Sequence, residues 1–306
     1  MKRGLCNLIG ALMLNLSFVG AFMADAQQVS KSHEGHSNAM IGVLEDHPGV
    51  YFGDPNYWRV RAIFEKKGSD WRAFPHTCRE FTCLKTLTVR YPKEVAWTIA
   101  FEERNLGQVT ARTPSDFQWY ADVGCQEITS SRPVPTIGKT SKEYSGFLSS
   151  PVYRPLVAVS DSQFRDPAMW KPAPLSTEIV GALRQQFLRK FPRPLNCKNP
   201  DENILKARPC LHKDIRIGKA YSSKENWSLA ELRLEGDSPF IGHWYVIGPT
   251  GEIRFLGSEM WLVDAGDYDG DGESEVLFAI VGYNLGGYRL FYRNFSKSAE
   301  FEFNYH

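Results

Sequence analysis

Residues 266–281 read Gly266-Asp267-Tyr268-Asp269-Gly270-Asp271-Gly272-Glu273-Ser274-Glu275-Val276-Leu277-Phe278-Ala279-Ile280-Val281. The first part is glycine and acid with one tyrosine and one serine. The second, from Val276 on, is an unbroken apolar run of strand length, which reads as a central strand buried on both faces. Counted from Asp267, acids fall at the first, third, fifth, seventh and ninth places, and Gly272 holds the sixth, where the backbone must reverse sharply. Hard oxygen ligands at that spacing can wrap around one Ca²⁺, which takes six to eight oxygens at ~2.3–2.6 Å. A second apolar run, Met260–Val263, precedes the loop. The stretch therefore predicts a strand-to-strand turn that carries an ion site. The alternative is a solvated acidic turn with no ion, in which the carboxylates repel one another.

An EF-hand is excluded. That loop closes with a bidentate Glu at its twelfth place and is flanked by helices. Here the twelfth residue is Phe278, inside the following strand. The run Gly266 to Leu277 instead resembles the calcium loop of FG-GAP and VCBS-type repeats, the repeats of integrin α-subunit β-propellers. By that resemblance Asp267, Asp269 and Asp271 supply side-chain oxygens, Glu273 its backbone carbonyl, and Glu275 closes the ring around Ca²⁺.

Outward from the loop, the period stays at two. Ala230, Leu232 and Leu234 alternate with Glu231 and Arg233. Tyr288, Leu290 and Tyr292 alternate with Arg289 and Phe291, and Ala299, Phe301 and Phe303 alternate with Glu300 and Glu302. Trp244–Ile247 and Ile253–Leu256 flank Gly248-Pro249-Thr250-Gly251, a hairpin signal. Upstream, Trp58, Val60, Ala62 and Phe64 mark one strand, Leu87, Val89 and Tyr91 another, and Val95, Trp97, Ile99 and Phe101 a third. Turn residues separate them at Lys67-Gly68-Ser69-Asp70, at Pro92 and at Asn105-Leu106-Gly107. Residues 131–175 are rich in proline, which removes ladder donors, so this stretch reads as surface loop with Leu156–Val159 as an edge strand. One helix is predicted from about Thr177 to Phe191, N-capped by Ser176 and stopped by Pro192. Its apolar stripe is Ile179, Leu183, Phe187 and Phe191. The expected fold is mainly β, with antiparallel sheets, one packed helix, and a degenerate β-propeller as the specific arrangement. A β-sandwich-type α+β fold is the alternative.

The N-terminus predicts export. Lys2 and Arg3 precede an apolar run from Leu5 to Met23, and Ala24-Asp25-Ala26 forms a small-x-small cleavage site, giving a signal peptide over 1–26. An uncleaved anchor is the rival, since the run almost reaches spanning length. Residues 27–50, with His33, His36 and His47, read as a flexible polar leader. The N-terminal β-rich region with its Pro-rich loop then covers 51–175, and the helix with the Ca-loop β region covers 176–306. Secreted or periplasmic placement follows, with no membrane span after cleavage. In that oxidising setting Cys78, Cys83, Cys125, Cys197 and Cys210 form an odd set, with Cys197–Cys210 the first choice of disulfide and Cys78–Cys83 the second. A zinc site is the competing use of these residues, but no Cys-x-x-Cys occurs.

The chain carries 36 Lys+Arg against 35 Asp+Glu and lacks a basic block, which argues against nucleic acid as partner. Catalytic signatures are absent: no Gly-x-Ser-x-Gly, and Gly138-Lys139-Thr140 has Pro133 where a phosphate loop needs its first glycine. His243 reads as a packed histidine, and Asp161, Asp166 and Glu178 as solvated charges. The expected function is a Ca²⁺-stabilised interaction module for a protein or glycan ligand. An exported hydrolase using the ion as scaffold or Lewis acid is the second reading.

Overall fold

A computed structural model describes residues 39–47, 57–74, 89–113, 125–137, 154–160, 164–191, 196–197, 208–209, 212–234, 242–282 and 285–304. The expected signal peptide, most of the leader including His33 and His36, and Asp161 lie outside the described residues, as do the side chains of all the cysteines and of His47.

β1 (Met40–His47), β2 (Tyr57–Lys67), β3 (Asp70–Ala73), β4 (Glu94–Phe101), β5 (Arg104–Arg112), β6 (Cys125–Glu127) and β7 (Leu156–Val159) form a seven-stranded antiparallel sheet. Its order is β3-β2-β1-β7-β4-β5, with β6 paired to β2. After β8 (Lys171–Pro172) comes helix α1 (Thr177–Lys190), then a two-residue ladder of β9 (Asn196–Cys197) and β10 (Arg208–Pro209). β11 (Ile215–Ser222), β12 (Ser228–Leu234), β13 (His243–Ile247) and β14 (Ile253–Ser258) join β8 in a five-stranded antiparallel sheet ordered β14-β13-β12-β11-β8. β15 (Met260–Gly266), β16 (Glu275–Gly282), β17 (Leu285–Tyr292) and β18 (Lys297–Asn304) make a four-stranded meander.

The period-two alternation of side chains decides how these layers pack. On β13, Trp244 and Val246 face the four-stranded sheet, where they meet Leu262, Val276, Phe278, Ile280 and Phe291. Tyr245 and Ile247 point the other way and, with Ala230 and Leu232, cover Leu183 and Phe187 of α1. On β16 and β17, Leu277, Tyr288, Leu290 and Tyr292 turn to the seven-stranded sheet. The order of layers is therefore α1, five-stranded sheet, four-stranded sheet, seven-stranded sheet. β16 is buried on both faces, as its unbroken apolar run predicts. Phe278 is fully buried and edge-on to both Trp244 (5.0 Å) and Phe291 (5.7 Å), which shows physically why the twelfth place of the loop is core and no ligand. Truncating such a residue to Ala costs about 3–5 kcal/mol.

Among the described residues no closed propeller forms. The helix occupies the outer face of the five-stranded sheet, where a further blade would have to pack. α1 itself matches expectation: Ser176 accepts from the Ile179 amide at 3.3 Å, and Arg189 and Lys190 sit in the last turn.

Four local expectations differ. Residues 40–47, placed in the polar leader, form β1 near the middle of its sheet, with Ile41, Val43 and Leu44 inaccessible. Gly42 allows the close approach, since a Cβ there would lie 2.9 Å from the Arg61 carbonyl oxygen. β7, expected at an edge, is central between β1 and β4 and wholly buried. Residues 89 and 90 are helical rather than extended, and Val89 is exposed. The β4–β5 turn falls at Glu102 and Glu103, both at positive φ (45° and 64°), rather than at Asn105–Gly107. The Glu102 amide donates to Asp264 Oδ2 at 3.1 Å, a contact from another sheet that holds this unfavourable turn. No helix among the described residues is long and apolar enough to cross a membrane.

Candidate metal centre

The loop between β15 and β16 turns on glycine. Gly270 (φ 75°) and Gly272 (φ 93°) adopt left-handed conformations that other residues resist. The turn folds its own amides onto its acids. Asp271 N–H donates to Asp267 Oδ1 at 3.0 Å and to Asp269 Oδ1 at 3.1 Å, Gly272 N–H donates to Asp267 Oδ2 at 3.0 Å, and Glu273 N–H donates to Asp271 Oδ1 at 2.9 Å. The Tyr268 N–H closes the circle onto Glu275 Oε2 at 2.9 Å.

The result gathers Asp267, Asp269 and Glu275, each offering one carboxylate oxygen, with these oxygens all within 4.8 Å of one another. Asp267 and Glu275 are each 2 % exposed and Asp269 is half-buried. This buried acidic triad could hold a metal ion. Its donors are all hard oxygens, the set that suits Ca²⁺, Mg²⁺ or Mn²⁺ rather than softer metals. Asp271 stands beside the triad with an exposed side chain, and Glu273 is exposed as well.

Residues far away in sequence complete the surroundings. Lys66, near the end of β2, donates to Asp269, and its Nζ lies 3.0 Å from Asp271 Oδ2. Trp71, its cross-strand partner on β3, donates Nε1–H to Glu275 Oε1 at 3.2 Å. Arg165 Nε reaches Asp267 Oδ2 at 3.2 Å, and its carbonyl accepts from Asp267 N–H at 2.6 Å. Asp166, expected as a solvated charge, is buried. Its carboxylate accepts from the amides of Ala168 (3.2 Å) and Trp170 (2.7 Å) and from the Ser274 hydroxyl. No local pattern marks these residues, because each works across a gap of about a hundred residues or more; Lys66 and Asp269, for instance, are 203 positions apart.

Lys66 and Arg165 offset only part of the acid charge, and the titration shifts reflect this. Burial, reinforced by the Asp269 charge, pushes Glu275 up to about 8, against the Tyr268 and Trp71 N–H groups. Burial likewise raises Asp269, against the Lys66 ammonium. Asp271 goes the other way: despite partial burial, the Glu273 amide and Lys66 lower it. Behind the loop, burial pushes Asp264 up to about 7, and burial followed by the Asp264, Glu275 and Asp166 charges raises the Tyr268 phenol. The Tyr268 hydroxyl is buried without a hydrogen-bond partner. A carboxyl group neutralised by burial and like charge is what a cation would re-ionise.

His243 belongs elsewhere. Its ring packs edge-on to Phe187 and Phe191 (both 5.0 Å) on the α1 side of the five-stranded sheet, and Nδ1 is 2.7 Å from Ser258 Oγ. Burial lowers it to about 4, so it is neutral at pH 7. Compared with protein-family models, with curated proteins and with solved structures, the chain matches none.

Proposed function

We propose that this protein is an exported, Ca²⁺-stabilised β scaffold whose role is to bind a protein or glycan ligand, with Ca²⁺ held by the 267–275 loop in the manner of FG-GAP and VCBS-type repeats. The observation that carries the reading is the convergence of Asp267, Asp269 and Glu275 on one point, in a turn between two core strands. Asp271 and the Glu273 carbonyl complete the proposed ligand set. The surroundings argue for a clip rather than a sensor. Trp71 of the β2–β3 hairpin and the 164–170 segment both bond to the same loop, so an ion there ties three segments together without helices to swing. Such a clip suits a compartment where Ca²⁺ is abundant, a secreted or periplasmic setting.

The test is titration of the purified protein with Ca²⁺, followed by heat of binding and by melting temperature. The expected result is saturable binding with a raised Tm. A response unchanged by Asp269→Ala together with Asp271→Ala would overturn the site.

A further inference from the structure

Lys66 sits in an unusual place for a lysine beside a cation loop. Its ammonium is bonded to Asp269, one of the three gathered acids, and to Asp271 at 3.0 Å, so it engages two carboxylates of the proposed ligand set. The contact is sheltered: the Asp269 side chain is 3 % exposed and that of Lys66 is 18 %. Arg165, the other cation at the loop among the described residues, has a side chain 64 % exposed and is screened by water. The backbone of Lys66 is fixed, with its amide donating to the Ala39 carbonyl at 2.8 Å and its register set opposite Trp71. Only the four-carbon stem is free to move. The Trp71 ring, 5.8 Å from Nζ, already offers the ammonium a cation–π surface.

We propose, resting on the Ca²⁺ reading above, that Lys66 is a built-in competitor for the ion: Ca²⁺ enters the loop by displacing the Lys66 ammonium from Asp269 and Asp271, and this exchange sets the concentration at which the site fills. A divalent ion on an Asp269 oxygen and an ammonium on the same carboxylate stand within a few ångströms of each other. In a sheltered site their repulsion is strong enough that one must leave. The lysine can leave, because its side chain is flexible and borders solvent. The acid count alone would suggest tight binding. The internal cation shifts the site toward the weak range of extracellular modules, with Kd of about 10⁻⁴–10⁻³ M. Without Ca²⁺ the lysine holds the acids together, so the loop keeps its shape in either state.

Two measurements on the full chain test this. The first is calorimetric Ca²⁺ binding to wild type and to Lys66→Gln, which keeps a polar stem and removes the charge. The expected result is binding about tenfold tighter or more in the variant. The second is amine acetylation of wild type, read at Lys66 by mass spectrometry with and without saturating Ca²⁺. The expected result is faster labelling of Lys66 when the ion is bound. Equal or weaker binding by Lys66→Gln overturns the exchange while leaving the Ca²⁺ site standing. Tighter binding with unchanged or slower labelling also overturns it, because the lysine then acts only as a distant charge. Failure of both proteins to bind Ca²⁺ overturns the underlying reading and this inference together.

Discussion

Two charged clusters connect the seven-stranded sheet to the four-stranded one, and they respond to burial in opposite ways. In the first, Glu45 on β1 meets Arg59 and Arg61 on β2 and the Tyr288 hydroxyl on β17, with Arg61 also lying 4.4 Å over the Phe303 ring. Burial alone would raise Glu45, but Arg61 and then Arg59 hold it down at about 2. In the second, Glu275 has neutral donors and acidic neighbours, and burial pushes it up to about 8. The sheets supply the cations of the first cluster in full. They supply only part of those in the second. A sheltered acid with its arginines in place is finished within the chain, whereas a ring of acids short of positive charge has room for an ion from outside.

The hardest way to break this contrast is Arg61→Met. It leaves the largely sheltered Glu45 with one guanidinium fewer, and a loss of about 3 kcal/mol in denaturant unfolding is expected. A change within 1 kcal/mol would mean that the first cluster is no more self-sufficient than the second.

Acid comes next. Glu45 is depressed in the folded state, so its contribution is complete above its unfolded value of about 4.5 and drains away as pH falls toward about 2. Glu45→Gln should flatten the stability profile across that window, by an amount on the order of a few kcal/mol at pH 5 relative to pH 2. An unaltered acid slope would place the relevant carboxylates elsewhere.

The acid ring should behave in reverse. With chelator present, Asp269→Asn removes one of several repelling charges but also the anionic partner of Lys66; the two effects oppose each other, and a net change of no more than about 1 kcal/mol is expected. With Ca²⁺ at a hundredfold its Kd, wild type should gain about 2.7 kcal/mol, roughly 5–10 °C in Tm, and the variant should gain much less. Equal gains would dissolve the distinction between a ring open to a cation and a closed cluster.

The smallest effect concerns the neutral donor from the seven-stranded sheet. Trp71→Phe keeps most of the packing and removes the N–H on Glu275, for an expected loss of about 1–2 kcal/mol in chelator. Chemical denaturation reads it directly, and no loss would show that this bond adds nothing to the ring.

The sequence alone determined the elements whose signals are local. The helix at 177–190 was readable because its cap, stripe and basic last turn are all close neighbours. The strands on either side of the loop, the glycine at its sixth place and the gathering of Asp267, Asp269 and Glu275 follow from spacing within one turn of chain. Even the double-sided burial of β16 was written in an uninterrupted apolar run. Other features came only with the tertiary structure. Leu156–Val159 looks the same whether it lies at an edge or between β1 and β4, because strand order depends on distant partners. Residues 40–47 carried too short an apolar signal to be separated from a polar leader until β2 and β7 flanked them. Glu102 and Glu103 are poor turn formers by themselves, and Asp264 from another sheet selects the turn. The surroundings of the acid ring, Lys66, Trp71, Arg165 and Asp166, were silent for the same reason. Their roles are electrostatic, and electrostatics depends on separation in space, which positions in a chain do not encode until the sheets have stacked.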